Sequence, residues 1–178
     1  GAAHNLLAAQ LSGTNYSYDL TDFSRQALTD YGHQLLASIN EAAKSQSEAE
    51  AYAKRRDAYL QLMLDLDELL STNENFMLGR WTNMARGIAD EAEGTTEADR
   101  QWLEFNNART LISTWGDENS SEASGLRDYS YREWAGMMKD FYYPRWQAFF
   151  NNRDNGKVLP NWFANDWKWA HNASLSYS

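Results

Sequence analysis

The sequence predicts an all-α protein, a bundle of about six mostly antiparallel helices with short connections and one long loop at about 115–125. Three observations carry this. The 178 residues include only two prolines, Pro144 and Pro160, so the first 143 positions hold no obligatory helix breaker. Apolar residues recur at three- and four-residue steps over long stretches, the spacing of one helix face. The polar, glycine-bearing breaks between these stretches are short, with one exception.

Taken in order, His4–Leu11 reads as a short helix, and Ser12-Gly13-Thr14-Asn15 as a turn. A long helix follows from Tyr18 to about Ala43, with Leu20, Phe23, Ala27, Tyr31, Leu35 and Ile39 as its apolar stripe and Gly32 as a weak spot. A second long helix, about Ser47 to Leu70, buries Tyr52, Tyr59, Met63, Leu66 and Leu70. The third covers about Glu74 to Glu93 and carries Phe76, Leu78, Trp81, Ala85, Ile88 and Ala89. Thr96 and Asp99 form a near capping box for a fourth helix that runs to about Thr114. The long polar stretch from Trp115 to Gly125 has two glycines and no periodicity, so it is a loop. The fifth helix spans about Asp128 to Phe150, and Pro144 inside it predicts a kink or restart near Phe141. Residues 160–171 form a last short helix rich in tryptophan. Trp81, Trp134 and Trp146 fall within apolar stripes and are expected in the core.

The formal charge of −9 argues against nucleic acid and against an anionic membrane surface, both of which need clustered Lys and Arg. No apolar stretch approaches the ~20 residues that span a bilayer, so no membrane insertion is expected. There is no cysteine, which excludes disulfides and thiolate metal sites. The opening Gly1-Ala2-Ala3 has no basic segment followed by an apolar one, and reads as cut from something longer. Residues 1–178 are expected to form one helical domain, a piece of a longer chain.

Chemistry-bearing motifs are sparse. Phosphate-binding glycine loops, HExxH, GxSxG and EF-hand patterns do not occur, and the scattered His4, His33 and His171 suggest neither a metal site nor a cofactor. Asp65, Asp67 and Glu68 read as a solvated helix face, with Asp65 and Asp67 turned to different sides. Asp117, Glu118 and Glu122 sit where a loop residue can reach a ligand, yet nothing identifies the carboxyl pair, about 5–10 Å apart, that a glycosidase sets across a scissile bond. What stands out is a loop flanked by two aromatic residues, Trp115 and Tyr129. Such a loop fits a carbohydrate-binding surface and equally a domain interface.

Specific strings add to this reading. Tyr18-Asp19-Leu20, Arg25-Gln26-Ala27-Leu28, Phe76-Met77-Leu78-Gly79-Arg80-Trp81 and Glu104-Phe105-Asn106-Asn107-Ala108-Arg109 lead to Thr114-Trp115-Gly116, Leu126-Arg127-Asp128-Tyr129, Trp134-Ala135-Gly136 and Tyr142-Tyr143-Pro144-Arg145-Trp146. In order and spacing the set resembles the C-terminal region of the α-N-acetylglucosaminidases, glycoside hydrolase family 89, over about residues 16–150. The resemblance implies a parent chain with a small α/β domain, a catalytic (β/α)8-type barrel and this helical domain. Its implied activity is exo-hydrolysis, with retention, of terminal α-linked N-acetylglucosamine from glycans such as heparan sulfate or mucin-type chains. The catalytic glutamates would lie on the barrel, so no catalytic residue is assigned here and the chain alone is expected to be inactive. By the same resemblance Trp115, Leu126 and Tyr129 line one wall of the sugar pocket. The implied partners are a terminal N-acetylglucosamine and the barrel of the same chain. The implied location is periplasmic or secreted in a bacterium, lysosomal in an animal. The stretch between Gly116 and Leu126 is longer and more polar than in human-type members. Arg145 is expected to brace a helix end, and Asp19 to pair with Arg25. A stand-alone carbohydrate-binding module and a purely structural buttress are the competing readings.

Overall fold

The computed structural model describes residues 1–109, 114–115, 126–127, 133–159 and 162–172. Its frame is an antiparallel pair of long helices, α2 (Thr14–Ala42) and α3 (Ala49–Ser71), joined by a single 3₁₀ turn at Gln46–Glu48. Contacts run the whole length of the pair. Asn73, just past α3, lies beside Ser17, Gly32 sits over Leu62 and Tyr59, and Arg55 donates to the Ser38 carbonyl. Gly32 is buried mid-helix, where its missing side chain lets the two helices approach. The buried side of α2 is therefore Thr21, Gly32, Leu35, Ile39 and Ala42. The predicted stripe is buried only at Leu35 and Ile39, while Phe23 and Tyr31 are exposed. The predicted face of α3 is buried from Tyr59 onward, with Leu62 added.

Helix α1 (Ala2–Ala9) lies against α2, tied by the Tyr16 hydroxyl donating to the Leu6 carbonyl. Beyond α3, Asn73 caps a 3₁₀ turn at Glu74–Phe76. Met77 then adopts an extended backbone and pairs with Ala135 before α4 (Leu78–Ala89) begins. The third helix is thus interrupted where the sequence predicts continuity. Its Leu78, Ala85 and Ala89 are buried, whereas Trp81, Met84 and Ile88 form an exposed apolar line, so Trp81 is not a core residue. Helix α5 (Glu97–Glu104) starts on the predicted capping box. It passes into a π-helical turn at Phe105–Arg109, and Thr114, expected at the helix end, is instead in extended pairing.

The expected restart near Phe141 is present. A π-helical turn at Met138–Tyr142 leads into α6 (Tyr143–Asp154), with Pro144 in its first turn, where the missing N–H is harmless. Helix α7 (Trp162–Ala170) is the last helix among the described residues. Arg145 on α6 lies 3.8 Å from the buried Asp166 carboxylate on α7, in keeping with a bracing role. The core joins α2, α3, the π-helical turn and α6 around Leu35, Ile39, Met63, Leu66, Leu70, Tyr142 and Phe150. Trp146 packs edge-on against Tyr59 there, with ring centroids 5.3 Å apart. The fold is an all-α bundle, as expected, with seven α-helices among the described residues.

Candidate functional site

The candidate site lies where the chain leaves α5 and returns to the bundle ahead of α6. Two short strands mark it: β1 (Thr114–Trp115) and β2 (Leu126–Arg127) pair antiparallel, with Thr114 opposite Arg127 and Trp115 opposite Leu126. Two of the three sequence-predicted wall positions are thus direct cross-strand partners. Tyr129, the third, and the loop at 116–125, with Asp117, Glu118 and Glu122, lie outside the described residues. Helix α7 packs against β1.

Both stems of this ribbon are tied down by charge. On the outgoing side Arg109 is 5% exposed and donates from Nε to Glu104 (2.7 Å) and from Nη1 to the carbonyls of Ala170, the last residue of α7, and Asn172 just beyond it. Glu104 also accepts from Arg86 (2.9 Å), whose other nitrogen bonds Glu97 (2.6 Å). These bonds to Glu97 and Glu104 raise the Arg86 pKa and hold Glu97 below its ordinary range. On the return side Glu133 is buried, its oxygens taken by Arg25 Nη1 (2.7 Å) and the Thr29 hydroxyl (2.5 Å), both on α2. Asp22 orients Arg25 through Nε (3.0 Å) and Nη2 (2.7 Å). Burial opposes the Arg25 charge, but these carboxylates more than compensate and its pKa is raised. The predicted Asp19–Arg25 pair is thereby corrected: Asp22, one turn along α2, faces Arg25 and Asp19 does not.

Next to Glu133, the Trp134 ring stacks on Trp81 at 5.4 Å and 13°. Ala135 donates to the Phe76 carbonyl (2.8 Å) and accepts from Leu78 N–H (3.1 Å). Asp67 Oδ1 accepts from Gly136 N–H (2.7 Å) and Lys139 N–H (3.1 Å). Asp67 is therefore a tether rather than part of a solvated face, while Asp65, on the other side, accepts only from Gln61 in its own helix. A cavity of about 40 Å3 beside Glu133, lined by Thr29, Gly32, Tyr59 and Met138, has room for about one water. Burial, reinforced by the Glu133 charge, pushes the Tyr59 phenol well above its usual pKa.

Each buried carboxylate among the described residues faces an arginine: Glu104 with Arg86 and Arg109, Glu133 with Arg25, Asp166 with Arg145. None stands as a carboxyl pair across an open cleft, and among the described residues no group of three His, Asp or Glu is placed to hold a metal. What this region can do chemically is present a braced ribbon to a neighbour. Sequence reasoning missed Glu133, Asp67 and Arg109 as its supports. The only sequence signal was that Arg25, Arg80-Trp81, Arg109 and Trp134-Ala135-Gly136 belong to the quoted strings. Nothing in their spacing says that they meet.

Comparison with known proteins shows the family and the fold. The family model described as the alpha-N-acetylglucosaminidase C-terminal domain matches residues 1–175. Human alpha-N-acetylglucosaminidase is 32% identical over 143 residues, which is 75% of this chain and 17% of that protein. Among solved structures, a family 89 glycoside hydrolase from Clostridium perfringens in complex with a deoxynojirimycin-type compound superposes with a TM-score of 0.78 at 28% identity. A Clostridium perfringens family 89 enzyme with two glutamates replaced by glutamine, in complex with its substrate GlcNAc-α-1,4-galactose, gives the same score. Each match covers 89% of this chain and 18% of the other. The chain thus spans less than a fifth of the length of these relatives.

Proposed function

Since the chain belongs to the alpha-N-acetylglucosaminidase C-terminal domain family, we propose that it is the helical part of an exo-acting hydrolase that removes terminal α-linked N-acetylglucosamine. In this reading Trp115, Leu126 and Tyr129 line one wall of the sugar pocket, and the catalytic glutamates come from the barrel of the parent chain. The observation that carries it is the register of the ribbon, which sets Trp115 opposite Leu126 between two charge-braced stems. An aromatic ring and an apolar residue are side-chain types that suit the C–H surface of a sugar, and a phenol can add a hydrogen bond. The glycan is of the heparan sulfate or mucin type. The parent enzyme works in the periplasm or outside a bacterial cell, or in the lysosome of an animal one. No helix among the described residues is long and apolar enough to cross a membrane.

The test is kinetic. Trp115→Ala and Tyr129→Phe in the parent enzyme should lower kcat/KM on an aryl α-N-acetylglucosaminide, and this chain alone should show no turnover. Unchanged kcat and KM in both variants would leave only the buttress role, which the exposed line of Trp81, Met84 and Ile88 on α4 supports. Calorimetry with N-acetylglucosamine separates a stand-alone binding module. Saturable binding to this chain, lost in Trp115→Ala, would favour that module.

A further inference from the structure

Building on the sugar-wall reading above, we infer that Glu133 is a positioning residue. Held by Arg25 and Thr29, it fixes where the chain rejoins the bundle after the Trp115–Leu126 ribbon, and so sets how tightly the parent enzyme holds its sugar.

The geometry is that of a two-point clamp. Both Glu133 carboxylate oxygens are engaged, one by a guanidinium and one by a hydroxyl, and the side chain is only 4% exposed. A carboxylate held by two donors cannot pivot as one held by a single bond can. The donors sit one turn apart on α2, more than 100 positions away in sequence, so the clamp fastens the returning chain to the longest described helix. Arg25 is itself locked by Asp22 and approaches in a defined orientation. Among the described residues Glu133 is also the first anchor after the ribbon on the return side, four positions after Tyr129 in sequence. The outgoing stem has its own anchor in Arg109. Without the clamp the first described anchors on the return side are Trp134 and Ala135, so the end of the ribbon is held less closely. Placing a binding group within about 1 Å separates a productive pocket from a poor one by up to about 100-fold.

Glu133 serves this role without touching substrate. Its loss leaves Arg25 paired with Asp22, so no charge is stranded. Wall contacts to the terminal sugar act in ground state and transition state alike, so the effect falls mainly on KM.

The experiment is a double-variant cycle in the full-length parent enzyme, reading kcat, KM and Tm on an aryl α-N-acetylglucosaminide. Glu133→Ala is expected to raise KM about tenfold with kcat within about twofold, and Glu133→Gln, which keeps the shape and one acceptor, to restore part of the loss. In a Trp115→Ala background the same Glu133 change should alter KM by less than about twofold, because the group it positions is gone. Phe149→Ala, in the aromatic cluster of α6, is the control for simple destabilisation and should lower Tm without moving KM. The inference is overturned if Glu133→Ala lowers Tm and leaves KM unchanged, or if the Glu133 and Trp115 effects multiply independently. Should Glu133→Ala not accumulate folded, Glu133→Gln carries the same cycle with the same two outcomes. If Trp115→Ala alone leaves kcat/KM unchanged, the wall reading itself fails and takes the inference with it, a result distinct from a normal KM in Glu133→Ala.

Discussion

Replacing Asp67 with alanine should destabilise this chain far more than its position among the acidic residues of α3 suggests. Ordinarily the N–H of Lys139 would seek the carbonyl four residues back, that of Ala135. That carbonyl is already occupied by Leu78 N–H, so the Lys139 N–H turns to Asp67 at 3.1 Å, and Gly136 N–H joins it at 2.7 Å. One carboxylate oxygen thus satisfies two backbone donors at the entry to the π-helical turn. A hydrogen bond to a charged acceptor contributes about 1.5–3 kcal/mol when partly buried, as for Gly136, and about 0.5–1 kcal/mol when solvent competes, as for Lys139. The sum is about 2–4 kcal/mol, and relief of the Asp140 carboxylate, which Asp67 repels, favours the lower end. At roughly 2–4 °C per kcal/mol for a chain of this size, Tm should fall by about 5–15 °C. Asp67→Asn keeps an acceptor without the charge and should lose about 1 kcal/mol. Asp65→Ala, which touches only Gln61 four residues back, should stay within about 0.5 kcal/mol of the parent. Urea and thermal unfolding followed by circular dichroism measure all three. An Asp67→Ala chain as stable as Asp65→Ala would refute the tether.

Three further outcomes follow from the same packing. Gly32→Ala should stabilise by up to about 1 kcal/mol in urea unfolding, since helix propensity gains and Leu62, whose Cδ2 would lie 3.3 Å from the new methyl, can yield into the adjoining cavity; Gly32→Val should destabilise. Thr96→Ala should lower stability by about 1 kcal/mol through loss of the α5 cap. The hydroxyl and backbone N–H of Thr96 hold the Asp99 pKa below its ordinary value. Its stabilisation is therefore present above the unfolded aspartate pKa and lost as pH falls through the folded one, so the Thr96→Ala deficit should shrink in acid. Asp140 has the opposite sign: burial, then the Asp67 charge, raises its pKa. Stability should fall as pH rises from the unfolded aspartate value through the raised one, and Asp140→Asn should raise Tm at pH 7 but not at pH 3.

Much of the bundle is legible in the sequence because its helices are long and two prolines leave few places to stop. The errors share one cause, a long-range partner that outweighs a local pattern. Phe23 and Tyr31 look like core residues of α2, yet Gly32 faces α3. A glycine adds nothing to an apolar stripe while permitting the closest helix approach, so a count of hydrophobic residues places the stripe one face away. Met77 is locally a good helix former, yet its neighbours Phe76 and Leu78 exchange backbone bonds with Ala135, nearly sixty positions on, and the helix breaks there. Trp81 then leaves the core to stack on Trp134. Pro144 was read correctly because a missing N–H acts locally and needs no partner.

The candidate site divides along the same line. Trp115 and Leu126 are found opposite each other, while their supports are invisible in sequence, since a buried Glu133 looks the same as a solvated one until Arg25 and Thr29 arrive from α2. Yet Arg25, the Phe76–Trp81 string and Trp134-Ala135-Gly136, separate in the chain, converge on the residues that follow the Trp115–Leu126 ribbon. A domain that only filled space beside a barrel would need buried apolar faces, and these α2, α3 and α6 supply. It would not need a buried carboxylate clamp set among a two-donor aspartate and a tryptophan stack on seven consecutive residues, because the clamp desolvates charge that stability alone would replace with hydrocarbon. Such a concentration is what a segment requires when its position, and not merely its burial, matters to what it touches.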